Sequence, residues 1–238
     1  MSTWSIADTR SHVANRFGES QLEKVSPSLH AMAQRQAYAR YHFQEVRRLL
    51  ENFQSLHLAD KPLLVVAHGP DESARNAFQT VMFETGAHAL ACILSIHATA
   101  DVTAFAVYQA LGYGLSATAG RERKISATKL HPDLRRTSGH EGIADLLEKL
   151  INDTSYKHIC ALANHSKHQG LVRPALNEDW TGEREQRYEL RFAAFKHNGK
   201  PFPECELTSL LKPAYAIASS TVIDIGNQIN SIFGQNVS

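Results

Sequence analysis

Residues 164–168, Asn164-His165-Ser166-Lys167-His168, follow directly on the apolar run Ile159-Cys160-Ala161-Leu162-Ala163. Five polar side chains in a row are out of place beside such a run. On a helix, Asn164, Lys167 and His168 stand at i, i+3 and i+4 and share one face. That face offers an amide, an ammonium and an imidazole, a set suited to a phosphate or a hydroxyl.

A second set of polar groups lies in the long apolar stretch upstream: Glu84, His88, Ser95, His97 and Asp101. Glu84 and His88 are i, i+4. His97 and Asp101 have the same spacing on another face. Asp101 is followed by Val102, Ala104, Phe105 and Ala106, which predicts that it is buried. A buried carboxylate finds a partner or takes up a proton. The partners on offer are His97 on the same helix and Lys167 or His168 across a bundle. Such a pair either serves chemistry or only fixes helix register. Glu84-His88 with His165-His168 would outline a carboxylate-bundle metal site. Those sites use Glu-x-x-His and further carboxylates, and residues 155–168 hold none, so no metal or cofactor is expected. Cys160, within its apolar run, reads as packing rather than as a nucleophile.

Helices must position these groups. A short helix opens at Ser5 and closes near Gly18 within a polar N-terminal segment, residues 1–25. Ser26-Pro27 reads as an N-cap followed by a first helical proline, opening a helix to about Leu56. Residues 61–67 are ambiguous between strand and loop. A second long helix runs from Gly69-Pro70-Asp71 to about Leu111 and is apolar on nearly all sides in its second half, as the central helix of a bundle would be. Residues 115–138 read as a long basic loop carrying Arg121, Arg123, Lys124, Arg135 and Arg136. Ser138 and Glu141 have capping-box spacing and open a helix to about Ile151. Asp153-Thr154-Ser155 caps the helix that ends in the polar cluster. The period then switches to two: Tyr188, Leu190 and Phe192 alternate with charged residues. Asn198-Gly199 is a hairpin turn signal. Short strands near residues 171–173 and 202–205 complete a small antiparallel sheet. A final helix runs from about Ser209 to Phe233. The expected fold is mainly α, a bundle of four to five core helices in one domain over residues 26–238, with a β-hairpin insertion at 170–207 before the last helix.

The chain of 238 residues is 43% hydrophobic and carries a formal net charge of +1, which argues against wholesale disorder and against a global pull toward nucleic acid or membrane. Three cysteines, Cys92, Cys160 and Cys205, lack metal-like spacing and point to a reducing compartment. The start lacks a signal pattern. The apolar stretch from Ala89 to Val107 is interrupted by Ser95, His97, Thr99, Asp101 and Thr103, so it reads as a buried helix and not as a membrane span. A cytoplasmic protein without membrane contact is expected.

A bundle with Ser95-Ile96-His97 and Asp101 on its central helix, Asn-x-x-Lys-His late in the chain, and Asn198-Gly199-Lys200-Pro201-Phe202-Pro203 before the closing helix resembles the HEPN (higher eukaryotes and prokaryotes nucleotide-binding) superfamily, in an uncharacterised bacterial branch. The resemblance covers about residues 31–233. It implies a homodimer, with RNA, a nucleotide or a protein as partner, in a defence or toxin–antitoxin setting. Active members resemble metal-independent endoribonucleases, with an Arg a few residues ahead of a His at the dimer interface. There the His serves as acid and base at a ribose hydroxyl while the Arg holds phosphate charge. On that pattern Asn164, Lys167 and His168 would be the catalytic set with Asp101 orienting them, and Arg121, Arg123, Lys124, Arg135 and Arg136 would hold the RNA backbone. The chain departs at the arginine. Lys157 and Lys167 are the nearby cations upstream of His168, and lysine lacks the bidentate fork. That departure favours a nucleotide-, RNA- or partner-binding module over the endoribonuclease. A metal-dependent bundle enzyme is the third reading.

Overall fold

The computed structural model describes residues 3–116 and 124–235. Among these the protein is mainly helical: α1 (Ile6–Phe17), α2 (Glu19–His57), α3 (Leu63–His68), α4 (Glu72–Ala110), α5 (Ala127–Arg135), α6 (Glu141–Asn152), α7 (Thr154–His168) and α8 (Leu207–Gln235). Five short strands precede α8: β1 (Pro174–Glu178), β2 (Tyr188–Phe192), β3 (Phe195–His197), β4 (Lys200–Phe202) and β5 (Cys205–Glu206).

The chain divides into two compact units. The first is Met1–Ala37, Ile96–Lys157 and Ala214–Ser238; the second is Tyr38–Ser95 and His158–Pro213. The divide falls inside α2, α4, α7 and α8, so each of these helices lends one stretch to each unit.

In the first unit α1 is capped as expected: the Ser5 hydroxyl accepts the Asp8 N–H, and Gly18 at φ 83° ends it. α2 begins at Glu19, a full two turns before Ser26-Pro27, so those residues are helix interior and not its start. The upstream turns form because Gln21, Val25, Leu29 and Met32 keep helical spacing and are all buried. Gln21 donates through Nε2 to Gln109 O and Oε1, which satisfies a buried amide pair. The expected basic loop contains α5. Its Ala127, Leu130 and Leu134 are buried at i, i+3 and i+7 and pack it on α6. Pro132 and the surrounding basic residues masked that pattern. The capping box does not form. His140 occupies the N-cap of α6 without a side-chain capping bond, and Glu141 instead accepts the Gly139 N–H. On α8, Ala214, Ala218, Val222, Ile225, Ile229 and Phe233 supply the buried face. The Trp4 indole sits on Gly226, so close that any Cβ there would collide with the ring. Trp4 Nε1 donates to Thr9, whose hydroxyl donates to Asn230 Oδ1 at 2.6 Å.

In the second unit the ambiguous apolar run is helical, as α3. Pro62 offers α3 no side-chain cap; the Leu63 N–H donates to Glu178 Oε2 at 2.8 Å. β1, β2 and β5 form an antiparallel sheet in the order β1-β2-β5, with Leu176 opposite Leu190 and Phe192 opposite Cys205. β1 starts at Pro174, three residues later than the strand expected at 171–173. β3 and β4 form the expected hairpin. Asn198 at φ 50° and Gly199 at φ 75° make the turn, a backbone that Asn and Gly tolerate best. The β1–β2 loop folds around Asp179, which accepts from the Arg184 N–H and from the Thr181 hydroxyl and N–H. These bonds, the Arg184 N–H first, pull its pKa down to about 2. Trp180 on this loop is 67% exposed.

α4 is long and apolar enough to cross a membrane, the one such helix among the described residues. Much of it is packed inside the protein, with Ala89, Cys92, Ile93, Ile96, Ala104, Val107 and Tyr108 all buried.

Candidate ligand-binding cleft

The polar cluster occupies the last turns of α7, where Asp153 Oδ1 accepts the Tyr156 N–H at the start of the helix and Gly170 lies past its end. Asn164 is half-buried, whereas Lys167 and His168 are exposed. Asp101 is not the buried counterpart that the sequence predicts. It belongs to the first unit and is exposed, and its Oδ1 accepts the Ala127 N–H at 3.1 Å. Asp101 therefore caps α5, whose N-cap residue Ser126 makes no side-chain bond. The buried face of α4 passes through Ala100, Thr103, Ala104 and Val107, and Asp101 stands outside that stripe.

Two of the predicted basic residues, Arg135 and Arg136, are engaged in ion pairs. Arg135 bonds Asp145 and Glu148, each at 2.6 Å, and Arg136 lies 3.3 Å from Asp133. Lys124 is exposed. Arg121 and Arg123 lie outside the described residues.

The site that the second unit does build is an apolar cleft of about 490 Å³. One wall is a single face of α4: Phe78, Met82, Phe83, Gly86, Leu90 and Ile93, with Gln79 and Ala87. Leu162 and Ser166 face it from α7, one turn apart. The segment Leu171–Pro174 and Phe192 of β2 close it. Ser166 is thus the residue of the polar cluster that reaches the cleft; Asn164, Lys167 and His168 do not line it. Arg173 is the one charged residue among the described lining groups. Phe83 is 79% exposed and Leu171 55%, an arrangement that costs apolar hydration unless something covers it. Gly86 faces the open cleft: a Cβ there would meet only Pro174 Cδ, at 3.9 Å.

The other candidate groups of this unit are engaged in packing. His42 and His88 approach through their Nδ1 atoms at 2.9 Å, so one donates and the other accepts. Burial first, and then His88, lower the pKa of His42. This pairing takes His88 away from the carboxylate-bundle arrangement, and Glu84 is exposed. Among the described residues no three His, Cys, Asp or Glu side chains gather closely enough to hold a metal ion. Also on α7, His158 and His165 pack against Phe195 and Phe202 of the β3–β4 hairpin. His158 Nε2 lies 3.8 Å from Cys205 Sγ. Burial lowers the His158 pKa and pushes the Cys205 thiol up to about 11, so the pair holds a neutral imidazole and a protonated thiol. Cys92 donates to Ala39 O, and burial raises its pKa to about 12. Neither thiol is set up as a nucleophile.

Sequence reasoning missed the cleft. Its traces were Gly86 in the middle of an apolar helix and Phe83 three residues before it, outside the buried stripe. Comparison with protein-family models, with curated proteins and with solved structures gives no match for this chain.

Proposed function

We propose that this chain is a binding module whose second unit takes an elongated, mostly apolar ligand with one anionic end. The cleft carries this reading: about 490 Å³ lies within the range of small-molecule sites, and its lining is apolar except for Gln79, Ser166 and Arg173. The hydrocarbon part would cover Phe83 and Leu171. The anionic end would pair with Arg173, which is exposed at the rim. Ser166 and Gln79 add hydrogen-bonding capacity without charge. Calorimetry with dodecanoate and dodecanol tests it. Dodecanoate should bind, dodecanol more weakly, and Gly86→Trp should reduce dodecanoate affinity by about tenfold or more by filling the cleft. Equal affinity in wild type and Gly86→Trp would sink the reading.

A second reading keeps the HEPN-like nucleotide- or RNA-binding module. Lys167 and His168 favour it: both are exposed in the last turn of α7, and no ion pair or hydrogen bond among the described residues engages them. Here Lys167→Ala with His168→Ala should weaken RNA binding and flatten its salt dependence. RNA affinity that ignores both substitutions rejects it. The endoribonuclease form of this reading would need Asp101 to orient Lys167 or His168 while its Oδ1 accepts the Ala127 N–H.

A further inference from the structure

The first unit holds a cavity of about 410 Å³ that the cleft reading does not use. Its apolar wall is Leu111, Ile232, Phe17 and Phe233, the two rings 6.2 Å apart edge to face. The Arg16 guanidinium lies 5.8 Å from the first ring centroid and 5.9 Å from the second. Ser138, His140 and Gln235 supply the polar side.

The state of His140 follows from its neighbours. Thr137 Oγ1 donates to Asp133 O, which can only accept. That spends the Thr137 proton, so the Tyr113 hydroxyl must donate to Thr137 Oγ1, at 2.8 Å. That in turn spends the Tyr113 proton. The contact of 2.8 Å between Tyr113 Oη and His140 Nδ1 is then satisfied only if Nδ1 carries the hydrogen. His140 is held in one neutral tautomer, and its Nε2 accepts no hydrogen bond from the described residues. Burial lowers its pKa, against the nearby Glu141 carboxylate, and burial raises that of Tyr113. Both effects keep the chain of three bonds neutral. Glu141 itself is turned to the Gly139 N–H.

We propose that this cavity is a second ligand site, for a small aromatic anion that also carries a hydroxyl. The ring packs on Phe17 and Phe233, the anionic group pairs with Arg16, and the hydroxyl donates to His140 Nε2. An apolar wall, a cation and a histidine acceptor lining one cavity are the three features such a molecule needs.

Para-hydroxybenzoate and benzoate are the probes, with calorimetry as the readout. Para-hydroxybenzoate should bind more tightly than benzoate. Arg16→Gln should weaken both by about tenfold, since it removes a charge-assisted contact. Arg16 is exposed, so the variant keeps the fold, which its thermal transition checks. His140→Ala should erase the preference for para-hydroxybenzoate and leave benzoate affinity little changed. Long-range proton–nitrogen NMR correlations on the wild type should place the His140 hydrogen on Nδ1, and Tyr113→Phe should release that tautomer. Failure of both probes to bind at millimolar concentration overturns the site. So does affinity that is indifferent to Arg16→Gln, or a hydrogen found on Nε2.

Discussion

Each unit contains a helix whose first N–H is met by a carboxylate from far along the chain, and the two carboxylates stand in different surroundings. In the first unit Asp101 accepts from Ala127 at the start of α5 and remains exposed. In the second, Glu178 accepts from Leu63 at the start of α3, and its side chain is only 2% exposed. Glu178 also takes the Arg187 guanidinium at 2.7 Å and the Tyr188 hydroxyl. The same local problem, a helix start with no capping side chain of its own, is solved once with a loose surface group and once with a buried network. Glu178→Ala should therefore cost about 1–3 kcal/mol, because it removes the buried acceptor of the Leu63 N–H at the helix end. Asp101→Ala should cost about 1 kcal/mol. Chemical denaturation of both variants checks the ranking; equal losses would mean that burial around Glu178 adds nothing.

Two helical glycines sharpen the contrast between the units. Gly226 is filled by the Trp4 ring, whereas Gly86 looks onto open cleft. Alanine is the better helix former by about 1 kcal/mol, so the sign of each substitution depends on space alone. Gly226→Ala should destabilise by about 1–3 kcal/mol, and Trp4→Ala should relieve most of that penalty. Gly86→Ala should stabilise by up to about 1 kcal/mol while leaving the cleft usable. A loss at Gly86 as large as that at Gly226 would contradict the open cleft.

The smallest effect is on pH. His42 and His158 in the second unit and His140 in the first all have pKa values lowered from 6.5, with burial the leading cause. The unfolded chain therefore takes up protons at a higher pH than the folded one. The stability these groups contribute is present above about 6.5 and lost as pH falls through the lower folded values. Thermal stability should decline from about pH 7 to about pH 5. A flat or rising profile in that window would show that these three imidazoles are better hydrated than their packing implies.

Local chemistry was legible where a residue acts on its neighbours. Ser5 and Gly18 announced α1, Asn198-Gly199 announced the β3–β4 hairpin, and the apolar length of α4 announced a core helix. It was illegible where the partner is remote. Asp101 sits among apolar residues in sequence, but hydropathy gives no azimuth around a helix, and its partner Ala127 lies 26 residues on. α5 was hidden because three buried residues among basic ones and a proline make a weak periodic signal. The polar cluster was visible as a set of residue types. Its division, with Ser166 toward the cleft and Lys167 and His168 toward solvent, needs the positions of α4 and of residues 171–174. A cleft is an absence of atoms, and composition records only what is present.

Trp4, wedged on Gly226, and Trp180, standing free on the β1–β2 loop, are the chain's two tryptophans, and each belongs to a different unit. The protein thus carries its own pair of optical reporters. A water-borne quencher such as iodide should silence the emission of Trp180 first and leave that of Trp4. The light that survives then follows the melting of the first unit alone, and the quenched fraction follows the loop beside α3, without any dye or label.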